Sequence, residues 1–188
     1  FMGTMLEKSG VAEDLLKILE LLLKRVPGGL ALAVTAMGTI MAATTGIIGA
    51  SVVMMSLMAL PAMLRAGYQK ELATGTIAAS ATLGILIPPS IMLVIMADLL
   101  AISVGNLFIG AILPGLLLSS LYFIYIIVIS ALKPHIAPPI ADDKMVDSKT
   151  LMLMVLKGFV PPVILIVMVL GSIFGGIATP TEAAGVGA

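Results

Sequence analysis

The sequence predicts an all-α integral membrane protein, a multi-span helical bundle that contains a re-entrant helical hairpin and a broken transmembrane helix. Three observations predict it. Hydrophobic residues make up 60% of the chain and charged residues only 11%, with a mean hydropathy of +1.22, far from an ordinary soluble domain. The ten Lys and Arg residues fall into three clusters, at 8–25, 65–70 and 133–157, with long neutral stretches between them. The uncharged run 26–64 is nearly twice the roughly 20 residues that cross a bilayer, yet Lys24-Arg25 and Arg65 close both of its ends. There is no cysteine, so neither a disulfide framework nor a thiolate metal site is available.

Residues 1–25 read as the end of a span followed by an amphipathic helix. Glu13, Lys17, Glu20 and Lys24 recur at helical spacing opposite Leu15, Leu16, Leu19, Leu22 and Leu23. Glu13 with Lys17 and Glu20 with Lys24 stand four apart in the favourable order, and Pro27-Gly28-Gly29 ends the segment. Such a helix lies along the cytoplasmic interface, the alternatives being a solvated helix or the tail of a preceding span. The run 26–64 is broken at its midpoint by Thr44-Thr45-Gly46 and Gly49, which leaves each arm marginally short for a crossing. Because Lys and Arg prefer the cytoplasmic face, both ends stay there while the glycine-containing tip stops near mid-membrane. Irregular backbone at that depth survives only beside a cavity or inside protein.

Segment 72–97 is uncharged and long enough to cross once, with Gly84 and Pro88-Pro89 interrupting its centre. The loop 98–106 carries no Lys or Arg and is placed outside, after which 107–132 returns across the membrane. Residues 133–150, with Lys133-Pro134-His135, Pro138-Pro139 and Asp142-Asp143-Lys144, read as a cytoplasmic linker. A further span follows at 151–178, with Lys157 near its cytoplasmic end. Thr179-Pro180-Thr181-Glu182 has the form of a capping box, so the next helix starts in 179–188 and Glu182 reads as a cap rather than a catalytic acid. Phe1-Met2 lacks the charged start of a signal peptide, and the chain stops shortly after a helix-start signal, which reads as a piece of a longer protein.

Chemistry concentrates at the two interruptions. Pro88 and Pro89 supply no amide hydrogen, so the carbonyls of Gly84 and Ile85 lose their helical donors, and an unsatisfied carbonyl in hydrocarbon costs several kcal/mol. A cation, a water or a neighbouring hydroxyl must meet them; Ser80, Thr82 and Ser90 lie nearby, and the alternative is a proline kink satisfied by packing. The hairpin tip, with Thr44, Thr45, Gly46, Gly49 and Ser51, offers the same hydroxyls and free carbonyls. Secondary transporters build sites where broken helices meet, with unwound carbonyls holding sodium and helix N-termini facing anionic groups. The candidate substrate and cation site is therefore Thr44, Thr45, Gly46, Gly49, Ser51, Gly84, Ile85, Ile87, Pro88, Pro89 and Ser90, with sodium at Thr45, Gly46, Gly84 and Ile85.

No Asp, Glu, Lys, Arg or His falls in the apolar parts of the hairpin or the broken helix, which favours sodium over proton coupling. The sole His135 sits in a polar linker, leaving an intramembrane serine protease without a base; no enzyme and no cofactor beyond the coupling ion is expected. The fourteen methionines serve as apolar packing rather than soft-metal ligands, and there is no basic nucleic-acid surface.

The stretches Ala62-Met63-Leu64-Arg65-Ala66-Gly67-Tyr68, Leu72-Ala73-Thr74-Gly75 and Thr82-Leu83-Gly84-Ile85-Leu86-Ile87-Pro88-Pro89-Ser90 resemble one transporter family. The resemblance continues through Ile112-Leu113-Pro114-Gly115-Leu116-Leu117-Leu118 and Gly175-Gly176-Ile177-Ala178-Thr179-Pro180-Thr181-Glu182-Ala183-Ala184, covering essentially the whole chain. It is to the large membrane subunit of tripartite ATP-independent periplasmic (TRAP) transporters. That resemblance implies a multi-pass protein of the bacterial or archaeal cytoplasmic membrane, a small membrane partner that is separate or fused, and a periplasmic substrate-binding protein. It also implies sodium-driven uptake of organic acids by an elevator motion, this chain holding one part of an inverted-repeat transport domain. Many members carry Ser-Gly-Ser-Ser at the tip, where this chain has Thr45-Gly46-Ile47-Ile48 followed by Gly49-Ala50-Ser51. Two hydroxyls thus become isoleucines, a departure that bears on side-chain coordination and on dicarboxylate selectivity. The alternative function is a non-transporting membrane scaffold, in which the breaks serve packing and the basic loops bind a partner.

Overall fold

The computed structural model describes residues 10–24, 26–45, 48–139, 148–179 and 182–183, with the backbone alone at 11, 42–45, 50 and 148–152. Among these residues every regular element is an α-helix: α1 (Val11–Leu23), α2 (Gly29–Thr45), α3 (Ile48–Arg65), α4 (Lys70–Leu86), α5 (Ile91–Leu99), α6 (Val104–Leu132) and α7 (Ser148–Phe174). The protein is an all-α membrane bundle. α6 and the Leu153–Phe174 part of α7 are each long and apolar enough to cross a membrane, and α4 with α5 adds a third such element bent by 42°. The hairpin arms are shorter, α2 with 17 residues and α3 with 18. At a rise of about 1.5 Å per residue they reach roughly 25 Å, short of a hydrocarbon core of about 30 Å.

α2 is apolar on every side and occupies the centre, as such a helix must. Leu30, Ala31, Leu32, Ala33, Val34, Thr35 and Met37 are all buried, against α1, α3, α4 and α6. α1 turns Ala12, Leu15, Leu16, Ile18 and Leu19 inward, so its apolar face is covered by α2 and α7. A Glu13–Lys17 ion pair of 2.8 Å lies on its exposed face. α3 contributes the stripe Ser51, Met54, Met55, Ala59 and Met63. Lipid is as apolar as these side chains, so helices associate there through close approach. Gly38 provides one such approach: a Cβ placed on it would lie 2.6 Å from Ser80 Cβ on α4.

The feet of the hairpin are tied by hydrogen bonds. α3 ends in a Schellman motif, with Gly67 at a φ of +80°, its N–H donating to Leu64 O at 3.1 Å and the Tyr68 N–H to Met63 O at 3.0 Å. After α6, residues 133–139 form a strap beneath both feet. Gly28 N–H donates to Ala137 O at 3.1 Å, and Gln69 N–H to Ile136 O at 2.9 Å. α6 begins at Val104, a little earlier than the expected 107, and α7 begins inside the expected linker at Ser148 and ends at Phe174, where Gly176 adopts a φ of +65°. Linker residues 140–147 lie outside the described residues. Thr179 N–H donates to Glu182 Oε2 at 2.8 Å and Glu182 N–H to Thr179 Oγ1 at 3.3 Å, the reciprocal pair of a capping box. The Thr179 N–H and the Thr179 hydroxyl, both donating to the carboxylate, hold the Glu182 carboxyl below its ordinary pKa; Pro180 and Thr181 lie outside the described residues.

Candidate site at the hairpin tip and the broken helix

The break is built by missing donors. Ile87 N–H donates to Leu83 O at 2.9 Å as the last bond of α4, and Val94 N–H to Ser90 O at 3.2 Å as the first of α5. Between them stand Pro88 and Pro89, joined by a cis peptide, so the carbonyls of Gly84 and Ile85 have no helical donor. Ile87 and Ser90 are extended, which turns the chain between the two helices. Gly84, Pro88 and Ser90 are buried, and Ile85, Ile87 and Pro89 are half-buried. The carbonyl end of α4 and the amide end of α5 thus face one place, the first suited to a cation and the second to an anion.

The three nearby hydroxyls behave differently. Ser80 Oγ donates to Thr76 O at 2.6 Å and Thr82 Oγ1 to Ala79 O at 2.7 Å, so both are engaged within α4. Ser90 is 1% exposed, and its Oγ has no hydrogen-bond partner among the described residues. At the hairpin tip, Thr44 and Thr45 end α2, Gly49 is exposed in the first turn of α3, and Ser51 is buried. Gly46 and the side chains of Thr44 and Thr45 lie outside the described residues.

Packing registers fix how the two interruptions relate. α2 and α4 run in the same direction, since the Leu30 N–H meets the Tyr68 phenol at the feet and Ser80 Oγ lies 3.4 Å from Thr35 Oγ1 higher up. From Gly38 to the end of α2 at Thr45, and from the adjacent Ser80 to Ile87, the chain climbs roughly 10 Å in each case. The two breaks therefore lie at about the same height. α6 runs the opposite way and confirms the register. Thr39 Oγ1 and Ser119 Oγ are 3.0 Å apart, and one turn on, a Cβ at Gly115 would sit 3.2 Å from Ile87 and 3.3 Å from Leu86 O. α6 also measures depth. Ser130 abuts Gly28 at the feet and Gly115 abuts the break, so the break stands roughly 22 Å above the feet and roughly 16 Å below the start of α6 at Val104.

Two carbonyls without helical donors and a buried hydroxyl with no partner among the described residues are neutral oxygens, the donor type that suits a hard cation of low charge. No group of three or more His, Cys, Asp or Glu side chains capable of holding a metal occurs among the described residues. A cavity of about 260 Å³ lies elsewhere, between α4 and α6 on the side of the feet, lined by Thr35, Gln69, Glu71, Thr76, Tyr122 and Tyr125 among others. The sequence reading missed the roles of Gly38, Gly115, Tyr68 and the Thr39–Ser119 pair. For the glycines and the hydroxyl pair the only signal was a small residue amid apolar ones, and for Tyr68 a lone aromatic beside a turn glycine; neither says which helix lies opposite.

All of the chain, residues 1–188, matches the model of the family described as tripartite ATP-independent periplasmic transporter, DctM component. It is 36% identical over 186 residues to the C4-dicarboxylate TRAP transporter large permease protein DctM of Vibrio cholerae, covering 99% of this chain and 40% of that protein. It is 34% identical over 190 residues to the isethionate TRAP transporter permease protein DctMQ of Oleidesulfovibrio alaskensis, covering 99% and 28%. Against the ectoine TRAP transporter large permease protein TeaC of Halomonas elongata the identity is 34% over 173 residues, covering 92% and 39%. The chain spans about two fifths of the length of the first of these relatives. Interrupted apolar helices and a match over the full chain lead to one assignment: the chain belongs to the DctM family of TRAP transporter large permeases, a family of transport subunits and not of enzymes.

Proposed function

We propose that the chain supplies part of the large membrane permease of a sodium-coupled secondary transporter. The transporter imports organic acids delivered by a periplasmic substrate-binding protein, together with a small membrane subunit, in a bacterial or archaeal cytoplasmic membrane. The observation that carries this reading is the placement of the α4–α5 break at the height where the hairpin arm α2 ends. A cation would take the carbonyls of Gly84 and Ile85 and the Ser90 hydroxyl, joined from the hairpin by Thr45 and Gly46. A carboxylate would take the amide ends of α3 and α5, each contributing on the order of 1 kcal/mol. Two relatives are named for C4-dicarboxylate and isethionate, both organic anions. The basic residues Lys24, Arg65, Lys70 and Lys133 flank the hairpin feet and the strap, which supports a cytoplasmic orientation of that end.

The test uses the complete protein with its membrane partner and binding protein, reconstituted in vesicles. Uptake should follow an imposed sodium gradient and require the binding protein. Replacing Pro88→Ala together with Pro89→Ala should let the helix close over its carbonyls and lower sodium-dependent uptake at least tenfold while insertion persists. Uptake at full rate without sodium that collapsed with the pH gradient would overturn the coupling. Unchanged sodium dependence in the double variant would move the cation site away from the break.

A further inference from the structure

Tyr68 joins two chain segments that the site needs in register. It follows Gly67 in the C-terminal cap of α3, where it is only 4% exposed and packs in the same core as Met63. Its phenolic oxygen crosses to the other foot of the hairpin and accepts the Leu30 N–H at 3.1 Å. Leu30 lies in the first turn of α2, whose amides have no donor-accepting partner within the helix. The residues before it, Pro27-Gly28-Gly29, carry no side-chain oxygen to cap them. The cap for α2 therefore comes from the end of α3. Burial pushes the phenol above its ordinary pKa, so the group stays neutral under physiological conditions.

The same residue begins the connection to the broken helix. Gln69, next in the chain, is the N-cap of α4 and donates to Ile136 O of the strap, while Gly28, two residues before Leu30, donates to Ala137 O. α2, α3, α4 and the strap after α6 thus meet within a few residues of Tyr68. Leverage makes this junction matter. A tilt of about 5° at the foot of a helix roughly 25 Å long moves its far end by about 2 Å. A misplacement of about 1 Å at a working site can cost about a hundredfold.

We propose that Tyr68 is a positioning residue: its hydrogen bond to Leu30 fixes the angle of the hairpin against α4 and so aligns the tip with the break. This rests on the reading of those two elements as one cation and substrate site. The test starts from the complete protein assembled with its membrane partner, carrying spin labels at Val53→Cys on α3 and Met92→Cys on α5, both exposed positions in a region without native cysteine. Tyr68→Phe keeps the ring and removes the acceptor. It should broaden the distance distribution between the labels, raise the half-saturating sodium concentration for uptake at least threefold, and speed exchange of the Leu30 amide. Gln69→Pro is a second variant, since its φ of −60° suits a proline and the change deletes the bond from its amide to Ile136 O. It should broaden the same distribution.

An unchanged label distribution in both variants overturns the proposal, as does an unchanged sodium requirement in Tyr68→Phe when parent uptake depends on sodium. If parent uptake proves independent of sodium, the proposed coupling fails, and broadening of the label distances still decides for or against the clasp.

Discussion

Ser90 has a hydroxyl that the fold buries without a partner among the described residues. An unmet buried polar group costs about 1–3 kcal/mol, and the same group gains when something binds it. Ser90→Ala should therefore melt no lower than the parent without sodium, and should lose part of the stabilisation that added sodium gives the parent. Half-saturating sodium should rise roughly threefold to tenfold, the effect expected when one neutral oxygen ligand is lost, taken as similar in worth to one hydrogen bond. Ser130 is the control. It is also buried and has no partner among the described residues, but it abuts Gly28 at the feet. Ser130→Ala should leave the sodium response alone, and equal effects of the two changes would refute a special role for Ser90. The sequence placed Ser80, Thr82 and Ser90 together beside the break and could not rank them. Back-bonding of the first two into α4 depends on rotamer and on which neighbour comes near, and neither is written in spacing.

Helices show the same limit on a larger scale. Pro88-Pro89 separates α4 from α5, whereas Pro161-Pro162 lies inside α7 with the helix continuing through it. The dipeptide removes two donors in both places, so it does not by itself decide between a break and a continuous helix. What differs is the surroundings: extended Ile87 and Ser90 flank the first pair, and Gly115 lets α6 pack onto the carbonyl end of α4. The amphipathic spacing of α1 revealed its buried face, but α2, apolar all round, gave no direction and turned out to be the centre. Its contact with α4 depends on Gly38. Gly38→Ala should push a methyl group into Ser80 Cβ, costing roughly 1–3 kcal/mol and separating the hairpin from the broken helix. A thermal melt of the purified protein would check this. An unchanged melting point would mean that the helices part at no cost.

Across the whole molecule, composition and charge clustering were enough to foretell a helical membrane protein, because lipid requires apolar surfaces and internally satisfied backbone. The outward faces of α6 and α7, with Leu113, Leu117, Leu121, Val163 and Val167 exposed, are as apolar as the interior. The strap under the hairpin was not legible, since it uses backbone atoms of residues 28, 69, 136 and 137 that any side chains could surround. Its position also fixes the scale along α6, on which the break lies roughly 16 Å from one end and 22 Å from the other. Depth in a membrane is electrical distance. An ion arriving at the break from the side opposite the basic feet would cross about two fifths of the membrane potential, and a full crossing is worth about 2.3 kcal/mol per charge at 100 mV. One bound cation would then gain about 0.9 kcal/mol from a potential negative inside, and its apparent affinity should rise about fivefold. Uptake by vesicles clamped at different potentials would read this directly, and a sodium affinity indifferent to voltage would place the ion at the membrane surface. The height of a proline pair along one helix thereby becomes a statement about how strongly the cell's resting potential drives loading.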